Sequence, residues 1–172
     1  MSISNARISI ETKYTAGSTV TGVSGSFTGG ETQTLTYTAD GEENNEINAV
    51  LEMRDQTIAV STTIELDLSD LIDQFGSTFG FGLIKMIKLH NESTNGAGLY
   101  LGGNANAVEL FGNANDRIFI PSGAIFLLGG LSTDYPVATV TAITEDQLDL
   151  TNASGAFIAT YTLEIFGTIA GS

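Results

Sequence analysis

Two groups of carboxylates are the residues of this chain most open to a chemical reading: Asp67, Asp70 and Asp73, and, further along, Asp146 with Asp149. A pair of carboxyl groups flanking a glycosidic bond is the apparatus of sugar hydrolysis, one giving a proton while the other attacks or activates water. The plainer reading is structural. The first group surrounds the start of a short helical turn, where unpaired N–H groups favour negative charge. The second flanks a turn and an outward strand position. Sugar-cleaving sites also draw on aromatic platforms, and tryptophan is absent.

Other chemistry has less to work with. The only histidine, His90, sits beside Asn91 at a strand end, and no G-x-S-x-G elbow accompanies it, so a Ser-His-Asp arrangement is not expected. Gly80-Phe81-Gly82 lacks the third glycine and the helix that a dinucleotide site needs. Calcium is the metal best suited to oxygen-bearing turns. Its candidate loops are Asp40-Gly41-Glu42-Glu43-Asn44-Asn45-Glu46 and Asn113-Ala114-Asn115-Asp116, but neither has the spacing of an EF-hand or an RTX repeat. Both read as solvated turns. No catalytic, cofactor-binding or metal-binding residue is expected, and no cofactor.

The elements that would have to position any such site are almost all β. The chain has 172 residues, 42% hydrophobic and 15% charged, which suits one domain or one domain with an arm and lies far from the disordered class. The net charge of −14 repels nucleic-acid phosphates and anionic membranes. The basic residues Arg7, Lys13, Arg54, Lys85, Lys88 and Arg117 are scattered, with Lys85 and Lys88 on opposite faces of one strand. Neither nucleic acid nor membrane is therefore expected as a partner. Without cysteine there are no disulfides and no thiolate sites. The segment Met1–Arg7 lacks a basic region followed by an apolar stretch, so no secretory signal is expected. Asn91-Glu92-Ser93 and Asn152-Ala153-Ser154 match the glycosylation tripeptide, a match frequent by chance in an Asn/Ser-rich chain.

Along the chain, residues 1–46 form a Thr/Ser/Gly-rich segment, either an arm or edge strands, and 47–172 a β-sandwich domain. In the first segment Ile8, Ile10 and Tyr14 alternate with polar residues, Ser18–Phe27 reads as a weaker strand, Gly29-Gly30 as a turn, and Leu35 with Tyr37 as a further strand. Ile47–Met53 fits a strand face better than a helix because Thr63–Leu68 follows, with Ile64, Leu66 and Leu68 alternating against Thr63, Glu65 and Asp67. Ser69 as a cap predicts one helical turn through Phe75. Strands are predicted at Leu83–His90, Leu99–Leu101, Val108–Phe111, Arg117–Ile120, Val137–Ile143, Leu148–Leu150 and Phe157–Phe166. Ala124–Leu128 is apolar throughout and predicted to be buried on both faces. Two GNAN tetrapeptides, Gly103–Asn106 and Gly112–Asn115, supply hairpin turn chemistry. The fold class is all-β: a jelly-roll-like β-sandwich of about nine to eleven short antiparallel strands, with at most one short helical turn.

The segments Ile87–Ser93 (IKLHNES), Leu99–Gly102 (LYLG), Ile118–Leu128 (IFIPSGAIFLL) and Ala159–Thr168 (ATYTLEIFGT) resemble small β-sandwich virion proteins of tailed bacteriophages, of the capsid-decoration, cement or neck/tail accessory kind. The resemblance covers residues 47–170 and transfers no catalytic residue. It implies display in many copies on a virion, homo-oligomers with trimers favoured, and the major capsid protein or other virion proteins as partners. The expected function is a decoration or cement protein that bridges capsid subunits and so stabilises the shell, through the N-terminal segment and apolar surface around Phe75–Phe81. A second reading is a receptor- or glycan-binding module whose loops are Asn104–Asn106 and Asn113–Asn115. A third, a hydrolase, would rest on Asp70 or Asp146.

Overall fold

A computed structural model describes residues 5–20, 23–39, 46–72, 77–130 and 136–170, and over 5–39 the backbone alone. No helix occurs among them, and none is therefore long and apolar enough to cross a membrane. In chain order the strands are β1 (Asn5–Val20), β2 (Val23–Ala39), β3 (Glu46–Ile47), β4 (Ala49–Ile58), β5 (Thr63–Asp67), β6 (Leu71–Ile72) and β7 (Thr78–Phe79). They continue as β8 (Phe81–Asn91), β9 (Leu99–Gly102), β10 (Arg117–Ile120), β11 (Ile125–Gly129), β12 (Ala138–Thr139), β13 (Gln147–Asn152) and β14 (Ala159–Ile169).

The body is a β-sandwich. One sheet has the order β10-β9-β13-β5; the other runs β11-β8-β14-β4, with β12 added beside β8. Strict alternation makes the two layers stick. In β14, Ala159, Tyr161, Leu163 and Ile165 are buried while Thr160, Thr162 and Glu164 face the other way. Leu148 and Leu150 of β13 and Leu99 and Leu101 of β9 present the same period from the facing sheet, and all join one apolar cluster with Ile84, Ile87 and Leu89 of β8. Each such side chain, fully withdrawn from water, contributes about 1.5–3 kcal/mol.

Several predicted elements come out differently. Leu71 and Ile72 do not form a helical turn: they pair with Phe79 and Thr78 in a two-residue ladder, and Asp73–Gly76 lie outside the described residues. A single turn carries the full cost of helix nucleation with little propagation to offset it, so a short ladder that lets Leu71 pack on the core wins. Val108–Phe111 is not a strand. It runs through the single long connection between β9 and β10, where Val108 and Leu110 still reach the core. The two GNAN turns therefore stand at either end of one loop. They share one geometry: Gly103 and Gly112 have φ of 101° and 91°, and the side chains of Asn104 and Asn113 accept the amides of Asn106 and Asn115. Ala124–Leu128 is only partly buried: Phe126 and Leu128 pack inward, Leu127 packs on the outer side against Met86, and Ile125 is 61% exposed. Of Val137–Ile143 only β12 is strand, and Ile143 sits in a turn at a φ of 77°.

The N-terminal segment is one long hairpin. β1 and β2, 16 and 17 residues long, pair in unbroken register from Asn5↔Thr38 to Val20↔Val23. Gly29 and Gly30 thus lie within β2, opposite Tyr14 and Lys13, and Ser18–Phe27 straddles the reversal instead of forming one strand. At about 3.4 Å per residue the ribbon reaches roughly 50 Å. The register puts Ala6 opposite Tyr37, Ile8 opposite Leu35, Ala16 opposite Phe27 and Val20 opposite Val23, all on one face. The intervening positions, such as Arg7↔Thr36, Ser9↔Thr34 and Thr15↔Thr28, are polar. Among the described residues the ribbon is hydrogen-bonded to one further strand, β3, which lies parallel to β2 at Thr38↔Glu46 and Ala39↔Ile47. Ile47 is fully buried in a small second cluster with Met86, Val50, Leu127 and Phe166 on the outer side of the five-stranded sheet. Lys85 Nζ donates to Glu46 O at 2.6 Å beside it, and burial lowers the Lys85 pKa.

The two N-x-S tripeptides do the same structural work twice. Asn91 Nδ2 donates to Ala97 O and Ile120 O, and Asn91 Oδ1 accepts the Ser93 amide. Asn152 Nδ2 serves Ile58 O, Ala59 O and Phe157 O, and Asn152 Oδ1 accepts the Ser154 amide. Both asparagines are at most 1% exposed, so neither amide is free to carry a glycan in the folded chain. Each ties two or three chain passages together at the rim of the sandwich. Asn152→Ala removes these bonds in a dry environment and is expected to cost about 2–4 kcal/mol, at roughly 1 kcal/mol per lost bond plus desolvation. Tyr161→Phe is the contrast, because the buried Tyr161 hydroxyl has no partner among the described residues. That variant should match or exceed the parent in stability. Urea unfolding of both variants with an unchanged slope checks the pair; equal losses would contradict this division of labour.

Candidate functional site

Strand register decides which of the sequence-selected residues meet. Asp67, at the end of β5, accepts the Ser69 amide and the Ser69 hydroxyl at 2.9 and 2.7 Å. The same hydroxyl lies 3.5 Å from Asp146 Oδ2, which also accepts the amide of Ile143. Asp67 and Asp146 are thus brought together through Ser69, each engaged in holding a turn. Asp70 is exposed, and Asp73 lies outside the described residues. The Asp40–Glu46 loop is described only at Glu46, and Asn113–Asp116 is a turn closed on itself by the Asp116 amide to Asn113 O. Among the described residues no three His, Asp or Glu side chains cluster as metal ligands.

His90 lies at the end of β8, as its penultimate residue. Its Nδ1 is 3.5 Å from Glu92 Oε1, an oxygen that also accepts the Thr162 hydroxyl. On the neighbouring row Lys88 forms an ion pair with Glu164 at 3.0 Å, its direct cross-strand partner. These groups occupy the outer face of the five-stranded sheet, open to water. The apolar surface expected around Phe75–Phe81 is partly core: Phe81 is 1% exposed and packs edge-on against Phe79. A shallow depression of ≈ 140 Å³ beside it is lined by Ala49, Val50, Phe79 and Ile169 among others. It falls short of the several hundred Å³ typical of a small-molecule pocket.

Aromatic, cationic and hydroxyl side chains meet on the outer face of the four-stranded sheet. One row crosses all four strands: Phe119 opposite Tyr100, Tyr100 opposite Thr151, Thr151 opposite Thr63. The rings of Tyr100 and Phe119 are 5.2 Å apart, and the Thr63 and Thr151 hydroxyls are hydrogen-bonded at 2.8 Å. The Arg117 guanidinium lies 4.2 Å from the centre of the Tyr100 ring. The next row holds Asp149 opposite Glu65, and beyond it Gln147 opposite Asp67. Asn104, from the first GNAN turn, reaches onto this face and donates to Gln147 Oε1 at 2.6 Å and Asp149 Oδ1 at 3.3 Å.

Asp149 keeps the outward strand position its spacing suggested, on this face, but is only 6% exposed there. Burial raises its pKa, the Asn104 hydrogen bond opposes the rise, and the neighbouring Glu65 charge adds to it. A carboxyl whose pKa is higher folded than unfolded takes up its proton first in the folded state. Its ionisation therefore penalises the fold above the folded pKa, and the penalty disappears as pH falls below the unfolded pKa. Asp149→Asn keeps an oxygen for Asn104 and removes the charge. It is expected to raise the melting temperature at pH 7, with the gain vanishing towards pH 3; a variant less stable at pH 7 would refute this sign. No protein-family model matches the chain, and no curated protein matches it.

Proposed function

We propose that this chain is a structural protein of a bacteriophage virion, a decoration or cement protein that bridges capsid subunits as a homo-oligomer, with a trimer favoured. The observation that carries the assembly part is the N-terminal hairpin. A two-stranded ribbon is marginal alone in water, yet this one runs 16 paired residues with its apolar positions gathered on one face. That pattern calls for a neighbouring surface. β1 stands at the edge of its sheet, where its outer backbone groups can accept a strand from another subunit. The viral part rests on the resemblance of Ile87–Ser93, Ile118–Leu128 and Ala159–Thr168 to virion β-sandwiches. The mechanism is mechanical. Many weak contacts act together through avidity, and preference for the expanded shell stabilises that state by mass action.

In sedimentation the full chain is expected to run as a trimer. Ile8→Asp combined with Ile10→Asp should yield monomers whose sandwich melts unchanged. Added to expanded empty capsids, the parent chain should bind and raise their melting temperature. A parent chain that stays monomeric at micromolar concentration, or that fails to bind shells in excess, overturns the reading.

A further inference from the structure

We infer that the outer face of the four-stranded sheet, at Phe119, Tyr100 and the Thr63–Thr151 hydroxyl pair, binds a neutral oligo- or polysaccharide. The starting point is the seat of Phe119. A side chain built at Gly98 would lie 2.3 Å from the tip of the Phe119 ring, so the ring rests against the bare backbone of Gly98. Pressed there and against Tyr100, Phe119 is still 49% exposed. An aromatic ring half open to water, steadied from below by a glycine and from the side by a second ring, is a stacking platform.

The groups around it select the ligand. A pyranose has an apolar C–H face for the ring, and its rim hydroxyls both donate and accept. Arg117, oriented over Tyr100, offers donors, Glu65 offers an acceptor, and the threonine pair can do either. Nucleotides are disfavoured because Glu65, Asp67 and Asp149 share this face. An apolar peptide would strip the remaining water from the same carboxylates and offer them no hydrogen-bond donor in return. The row spans three inter-strand spacings, about 14 Å, longer than one sugar ring. The face is open and flat, so a single site is weak, and affinity comes from repetition of the chain on a common scaffold. The site itself does not depend on the virion reading, since it lies within one chain.

The test is retention of the full chain on cellulose, chitin, starch granules and cross-linked dextran, followed by calorimetric titration with the soluble hexasaccharide of whichever retains it. At least one matrix is expected to retain the chain. Phe119→Ala should weaken binding tenfold or more while the chain stays folded, with the strand signature of its circular dichroism unchanged. Gly98→Ala, which keeps the ring but lifts it from its seat, should weaken binding as well, and Ile125→Ala on the opposite sheet should leave it unchanged. Failure of all four matrices to retain the chain, or retention that survives Phe119→Ala, overturns the proposal.

Discussion

The pairing of β8 with β14 is the constraint on which the rest of this structure stands. These two 11-residue strands lie at the middle of the larger sheet and share register from Tyr161↔Asn91 to Ile169↔Phe81. Their inward residues, Ile84, Ile87, Leu89, Tyr161, Leu163 and Ile165, are all fully buried. A one-residue slip would turn that whole set to solvent and bring Lys88 and Glu164 inside. Register is protected by irregularities as well as by hydrophobicity. The ladder shifts between Phe166 and Gly167, and a side chain at Gly167 would stand 2.0 Å from Leu83 O. Only glycine lets the two backbones approach so closely, so that bulge can sit at one place in the sequence.

Closing the two layers creates a second demand. Chain passages at the rim leave carbonyls facing inward, and unpaired ones are costly in a dry environment. Asn91 and Asn152 meet this demand with one side chain each, whose amide reaches several carbonyls at once. Ser93 extends the first junction, its hydroxyl accepting the Thr160 amide, while its backbone oxygen accepts the Ser122 hydroxyl. Ser154 extends the second by accepting the amides of Ala156 and Phe157. Two tripeptides that look like modification signals are thus the mortar between sheets and loops.

Much of this was legible in the sequence because β-periodicity is local. Alternation in Thr63–Leu68 and in Tyr161–Ile165 placed the core faces correctly, and the run at Leu83–His90 was a strand. What failed depends on distant neighbours. Whether Ala124–Leu128 is central or at an edge is set by which strands pair with it, not by its own composition. Gly29-Gly30 reads as a turn until the register of β1 holds it inside a strand. The Val137–Ile143 run could not reveal that Ile143 would be diverted into a turn pinned by Asp146. The aromatic row was half visible: Leu99-Tyr100-Leu101 and Arg117–Ile120 alternate, which already turns Tyr100, Arg117 and Phe119 away from the core. That these faces adjoin, and adjoin Thr63 and Thr151 from strands far along the chain, required the sheet order.

The two outer faces differ in a way that bears on use. On the five-stranded sheet, Lys88 and Glu164 satisfy each other, and Ile47 from the root of the hairpin covers Met86. That face is taken up in part by intramolecular contacts and by attachment of the arm. On the four-stranded sheet Phe119 stays half exposed, although turning it under a neighbouring loop would remove apolar area from water at about 25 cal/mol per Å². Stability alone gives no reason for an open ring there, nor for the glycine that seats it. On the proposed reading, an arm rooted on one sheet grips neighbours while the other sheet's face stays outward, which separates assembly from recognition. Such a division lets many weak faces be held in common orientation, the condition under which a flat, low-affinity surface becomes an effective binder.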